Sequence, residues 1–265
     1  MKYLLPAIVL ISIFTLIPAA GIIFVSLFKT NIISWEFVGL NNYKIMWRDF
    51  GRAMLNSLYY VLIVPVLGMV VSVVIALNIS RFNKKHQNIH RAAMYVPVFS
   101  AGIIIASFWR WFFSSDGVAN YLLKQNIQWF GKGGVLTIAF IIIVSSVGAA
   151  VMLLSIAINN INPNQIEAAL TDGATEFQIK TRIILPQLMP SISVLMLFSI
   201  VGALQIWETI YMLAPYRNTA SMMYRVFADG FQFGRYGLSA AECVVLLSTI
   251  LIMGILREKL TRSEP

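Results

Sequence analysis

The sequence predicts an all-α membrane protein: six transmembrane helices with a two-helix loop on the inner side. Three observations predict it. Hydrophobic residues fill 58% of the 265 positions and charged residues only 12%, about half the ~25% charge of an ordinary soluble domain. Six apolar runs lie near residues 4–28, 55–79, 92–113, 135–158, 190–214 and 239–256, each near the ~20 residues that cross a bilayer as a helix. Between the fourth and fifth runs, residues 159–189 are polar and carry helix caps in place of the aromatic residues of a membrane interface. Residues 1–265 are expected to form a single transmembrane domain.

The first run follows Lys2 and contains the small stretch Pro18-Ala19-Ala20, as a signal peptide would. Its apolar length exceeds the ~7–15 residues of a signal core, so a retained helix is expected. The second run holds Pro65, Gly68 and Ser72, a combination that bends membrane helices. The fourth carries Ser145, Ser146, Gly148, Ala149 and Ala150; such residues let helices approach closely, or leave room for a solute. In the fifth run, Gln205 and Glu208 lie three apart and hence on one helical face, with Tyr211 three further and Trp207 at the border. A carboxylate facing lipid at mid-membrane costs about 2.5–3.5 kcal/mol, so Glu208 should face a wet cavity or a partner. Carboxylate, carboxamide and aromatic ring also suit a sugar, whose hydroxyls donate and whose ring faces pack on aromatics. The alternative is that Glu208 sits near the interface and pairs with Arg110 or Arg217.

Orientation rests on the loop after the second run, which holds Arg81, Lys84, Lys85 and Arg91 and no acid, and on Arg257, Lys259 and Arg262 in the tail. The positive-inside rule places both inside, and six spans then put both termini and residues 159–189 in the cytoplasm. Lys44, Arg48 and Arg52 on the opposite side weaken the contrast. The expected outer loops, 29–54, 114–134 and 215–238, carry Trp35, Trp47, Trp129, Tyr216, Tyr224 and Tyr236 as aromatic belts. The net charge of +9 is scattered over loops, which interfacial anchoring explains better than a nucleic-acid surface. A single cysteine, Cys243, excludes an internal disulfide and a multi-cysteine metal site. His86 and His90 are spaced for a helical metal pair, but they stand in a basic loop and no metal is expected.

Residues 159–189 read as two short helices. Asn162 is an N-cap and Pro163 suits the first helical position. Ile166, Ala169 and Leu170 form an apolar stripe, Gly173 supplies a positive-φ stop, and Thr175 with Gln178 forms a capping box. Ala168, Ala169 and Ala174 would give the knob a small-residue surface that fits a partner's groove. An ordinary inter-helix loop is the alternative.

Glu167-Ala168-Ala169, then Gly173, then Ile183-x-Leu185-Pro186 resembles the EAA signature of ABC-importer permeases at every fixed position. Asp172-Gly173-Ala174 and Pro190 are similar to its sugar-importer form. Phe37-Val38-Gly39-Leu40-Asn41-Asn42-Tyr43 resembles the stretch typical of the first of two paired permeases in sugar and glycerol-phosphate importers. Asn56-Ser57, Arg91, Tyr95, Pro97, Trp109, Trp111, Gly117 and Asn120 follow in the family's order. One departure stands out: Ala214-Pro215-Tyr216-Arg217 replaces the family's Gly-Gly-Pro turn.

The resemblance implies a type I importer fold in a bacterial or archaeal plasma (inner) membrane. It implies a second homologous permease, two cytoplasmic ABC ATPases, an extracytoplasmic solute-binding protein, and a sugar or polyol as substrate. It assigns ATPase coupling to Glu167, Ala168, Ala169, Asp172, Gly173 and Ala174, and the substrate pathway to Ser145, Ser146, Gln205, Trp207, Glu208 and Tyr211. No G-x-x-x-x-G-K-[ST] stretch occurs, so ATP would be bound by the partner subunits, with no cofactor here. No catalytic constellation is apparent and no enzyme is expected. The alternative is a secondary, ion-coupled transporter working through Glu208; the cytoplasmic knob and the lack of other acids in the spans speak against it.

Overall fold

The computed structural model describes residues 5–31, 33–80, 89, 90, 93, 102–213 and 218–262. Helix α1 (Leu5–Ile11) continues through a π turn (Ser12–Leu16) into α2 (Ile17–Val25). Strands β1 (Phe28–Thr30) and β2 (Trp35–Phe37) follow, then α3 (Asn41–Ile79), α4 (Gly102–Phe112), α5 (Val118–Leu123) and α6 (Gly134–Asn159). The polar segment supplies α7 (Pro163–Thr171) and α8 (Glu176–Gln178), and a second π turn (Ile179–Ile184) leads into α9 (Leu185–Leu204). Helices α10 (Glu208–Leu213), α11 (Met222–Phe227) and α12 (Tyr236–Arg262) complete the chain, with a third π turn (Ala228–Gln232) between the last two.

Five helices are long and apolar enough to cross a membrane: Pro6–Val25, Phe50–Ile79, Gly134–Asn159, Glu176–Leu204 and Tyr236–Ile255. Of the expected span 92–113, the described helical part is α4, and the rest lies mostly outside the described residues. The basic loop with Lys84, Lys85 and His86, the motif residues Arg91, Tyr95 and Pro97, and the turn at Ala214-Pro215-Tyr216-Arg217 also lie outside them.

Three boundaries differ from expectation. Residues 29–54 are not a loop: they hold the β1–β2 hairpin, and α3 begins at Asn41. Asn42, Met46, Phe50 and Ala53 are all buried, and their spacings of four, four and three make one helical face. The fifth span was expected at 190–214, yet it is a 29-residue helix from Glu176 to Leu204. Its buried apolar residues begin at Ile179, and the capping box at Thr175 starts the whole span. The π turn at Ile179–Ile184 precedes Pro186 and Pro190. Proline lacks an N–H and crowds the carbonyl four residues back, and a wider turn relieves both. The π turn ahead of Pro18 repeats the pattern. Third, the helix breaks at Leu204 and resumes at Glu208.

Two compact units divide the chain: Met1–Leu58 with Leu204–Tyr211 and Pro215–Pro265, and Tyr59–Ala203 with Met212–Ala214. In the first, Asn42 donates its amide to the carbonyls of Ser26 (2.8 Å) and Phe28 (2.9 Å). Gly39 takes φ +55° at the turn into α3, and a Cβ on Gly237 would collide with the Phe28 carbonyl. Gly39 and Asn42 explain the glycine and asparagine of the motif at 37–43: one lets the chain turn, and the other ties it back to Ser26 and Phe28. Asn56 donates to the carbonyls of Asn218 and Ala220, each at 2.9 Å, and the Ser57 hydroxyl accepts from the Met222 N–H.

The second unit is built on Met69, Ala76 and Ile79 of α3, Val151, Leu154 and Ile158 of α6, and Ile179, Ile184 and Leu188 of the fifth span. Gly68 lies close to Ile143, 3.9 Å from where its Cβ would be. A small residue thus lets α3 and α6 approach. Residues 114–134 are organised by Asn120. It donates to the carbonyls of Ser115 and Ile127 and accepts from the Trp129 indole at 2.8 Å.

Candidate coupling and transport sites

The polar segment folds as its caps dictate. The Asn162 side chain accepts from the Asn164 N–H (3.0 Å), and Pro163 occupies the first turn of α7. Gly173 takes φ +79°, and the Ala174 N–H returns to the Ala169 carbonyl at 2.9 Å. Thr175 and Gln178 form the reciprocal capping box, at 2.7 Å and 3.3 Å. Every orphaned donor satisfied here is one that water need not hold, so the segment is defined rather than floppy.

Its two faces differ. Ile166, Ala169 and Ala174 pack against the core of the second unit. Glu167, Ala168, Leu170, Asp172, Gly173 and Phe177 are exposed. This corrects two expectations. Leu170 is not part of the inward stripe, because Gly173 ends α7 before the stripe can be covered. The small-residue surface is divided, since Ala169 and Ala174 face the chain's own core and Ala168 faces outward. The segment is also tied to the spans: Lys180 pairs with Glu176 (3.0 Å) and donates to Asn78 of α3 (3.4 Å). Gln187 of α9 donates to Gln165 (2.9 Å).

Gln205 and Glu208 were expected on one helical face. Residues 205–207 are not helical, so that spacing argument does not apply to them. The Ser221 hydroxyl caps the break by donating to the Ile206 carbonyl and accepting from the Tyr224 N–H (3.0 Å). Gln205 and Glu208 are both exposed, and the ion pairs among the described residues do not include Glu208. Arg217, one partner considered for it, lies outside the described residues. Trp207 stacks on Phe227 with ring centroids 4.3 Å apart, and Tyr211 meets the same ring edge-on at 5.4 Å. Phe231 also stacks on Phe227, with centroids 5.6 Å apart. An aromatic row thus stands beside an exposed amide and carboxylate. Phe227 and Phe231 were missed in the sequence because they belong to a stretch read as loop. In the second unit, Ser145 and Ser146 donate to the Ile141 (2.8 Å) and Ile143 (3.3 Å) carbonyls of their own helix.

A buried charge cluster was also missed. Asp229 and Glu242 are both fully buried. The Arg225 guanidinium lies 2.9 Å from Asp229 and 3.5 Å from Glu242, and Arg235 donates to Asp229. Two guanidinium groups thus face two buried carboxylates, and such groups are held inside a protein only with partners of this kind. Glu242 lies inside the span Tyr236–Ile255, so Glu208 is not the lone acid among the apolar runs. Its signal was legible: one carboxylate in an apolar helix, with Arg225, Asp229 and Arg235 shortly before it.

Several apolar spans, a capped polar segment between two of them and a buried cluster of arginines and carboxylates define a polytopic helical membrane protein. Residues 68–263 match the family described as binding-protein-dependent transport system inner membrane component. The chain belongs to that family: it is a permease-type membrane component of a transport system and not an enzyme. It is similar to the multiple sugar-binding transport system permease protein MsmF of Streptococcus mutans, with 25% identity over 86% of this chain and 82% of that one. It is also similar to the trehalose/maltose transport system permease protein MalF of Thermococcus litoralis, 26% identical over 98% and 92%. In fold it resembles a chain of the bacterial alginate ABC transporter crystallised with an alginate pentasaccharide-bound periplasmic protein. That match has a TM-score of 0.85 at 24% identity and covers 98% of this chain and 93% of the other.

Proposed function

We propose that the chain carries a sugar or related polyol inward as one of two homologous permeases, driven by two cytoplasmic ABC ATPases. An extracytoplasmic solute-binding protein would deliver the substrate. The observation that carries this reading is the capped segment 162–178, whose inner face packs on its own spans while Glu167, Ala168, Asp172 and Gly173 stay exposed. A rigid knob held on helices α3 and α9 transmits a partner's movement to the membrane better than a loop, because packed interfaces shift between discrete arrangements. Six spans with both termini cytoplasmic put this knob on the ATPase side. Helices α1 and α2 have no fully buried residue, so their apolar surface is free for a second permease or lipid.

The sugar assignment rests on the relatives being sugar-transport permeases and on Trp207, Phe227 and Tyr211 beside Gln205 and Glu208. Aromatic faces take the apolar side of a sugar ring, and the amide and carboxylate take its hydroxyls. Ser145 and Ser146 belong to the proposed pathway as residues that can exchange their internal hydrogen bonds for substrate. Co-purification tests the reading: the tagged chain should bring down a P-loop ATPase and a second permease. A chain that moves solute alone in liposomes, driven by an ion gradient, would instead be the ion-coupled carrier.

A further inference from the structure

Within the first unit, a cavity of about 410 Å3 lies between the hairpin, the start of α3 and the entry to α12. Lys29 and Arg235 line it, with Asn31, Ser34 and Asn41 as polar neighbours, and no acidic side chain is among its described lining residues. Its wall is preformed, because Asn42 pins Ser26 and Phe28, and Gly237 presses its backbone against the Phe28 carbonyl.

Depth decides what such a cavity meets. The first apolar span ends at Val25 and the last begins at Tyr236. Lys29 stands just past the one and Arg235 just before the other, so both lie where hydrocarbon gives way to headgroups. Exposed apolar residues stand close in the chain to those that line the cavity: Ile23 and Phe24 at the end of α2, and Ile33 (92%), Trp35 (55%) and Phe37 (68%) on the hairpin. Lys29 is only loosely held by Glu36 at 4.0 Å. Arg235 donates one nitrogen to Asp229 and lies over the Phe233 ring at 5.0 Å, with about half of its side chain exposed.

We infer that this cavity is a phosphodiester site that holds the headgroup of a membrane phospholipid between Lys29 and Arg235, with the acyl chains along α2. Two cations on one anion make charge-assisted hydrogen bonds, which are shorter and stronger than neutral ones. An exposed aromatic and aliphatic rim is costly in water and at home at the interface. A free phosphate would use the cations but leave that rim uncovered.

The test is lipid retention by the full chain, in its purified complex, read by native mass spectrometry in nonionic detergent. The titrants are phosphatidylglycerol, a diacylglycerol of the same chains, and inorganic phosphate. The site predicts preferential retention of phosphatidylglycerol. Lys29→Gln should weaken it about fivefold, the loss of one interfacial cation. Ser34→Trp, on the exposed hairpin, should fill the cavity and remove the retention while the melting temperature holds. Equal retention in wild type and Ser34→Trp would overturn the site. Equal retention of diacylglycerol would overturn the phosphodiester contact. Inorganic phosphate binding as tightly as the lipid would overturn the lipid assignment in favour of a soluble anion. None of these readings depends on transport, so they stand apart from the proposed function.

Discussion

Gly173 sits between the two helices of the coupling segment at φ +79°, and nothing lies within 4 Å of where its Cβ would be. The demand there is conformational, not steric. Left-handed backbone costs most residues about 1–2 kcal/mol, and asparagine tolerates it better. Gly173→Ala should therefore lower the melting temperature of the purified complex, and Gly173→Asn should lower it less. An equal fall for both would mean that space and not φ governs the position. Glu208 poses a different question. It is exposed beside the Trp207–Phe227 stack, and the ion pairs among the described residues do not include it. Glu208→Ala should cut uptake at least tenfold, about 1.4 kcal/mol of substrate contact, while assembly and basal ATP hydrolysis persist. If assembly fails instead, Glu208 is a structural ion-pair member and its substrate role falls.

At the scale of elements, the charge cluster fastens α11 to α12. Asp229 is contacted by both Arg225 and Arg235. Breaking a fully buried pair costs about 3–5 kcal/mol; here the arginines left behind are partly exposed, so the cost falls toward the ~1–3 kcal/mol of unsatisfied hydrogen-bonding groups. Asp229→Ala should be destabilised by that order in thermal unfolding, and Asp229→Ala with Arg235→Ala should recover part of the loss. If the double variant is no better than the single, Arg235 is not the partner that matters. How far the elements could be read from the sequence follows from how local their causes are. The caps at Asn162 and Thr175, and the stop at Gly173, act over three or four residues and were legible. The stripe Asn42, Met46, Phe50, Ala53 was equally regular, but its basic neighbours Lys44, Arg48 and Arg52 led to a loop reading. The break after Leu204 was not legible. Gly202, two residues before it, is itself helical, no proline marks the break, and the Ser221 hydroxyl that satisfies it lies 15 residues from Ile206. The aromatic row failed for the same reason: Trp207 was visible, but Phe227 joins it only through the fold.

At the scale of the molecule, the account requires the coupling segment and residues 114–134 to lie on opposite sides of the membrane. Single cysteines at Asp172 and Gln125, on a Cys243→Ala background, should be labelled from inside and outside respectively in intact cells and inverted vesicles. Labelling of both from one side would refute the orientation. The central claim is that the exposed face of residues 162–178 docks in an ATPase groove. Ala168 and Ala169 separate that claim from mere stability, since Ala168 faces outward and Ala169 faces the chain's own core. Ala169→Trp should lower the stability of the permease itself. Ala168→Trp should leave the permease folded and inserted, yet abolish uptake and strip the ATPase from the purified complex. Uptake and ATPase retention at wild-type levels in Ala168→Trp would contradict the account, because that face would then be buried in no partner.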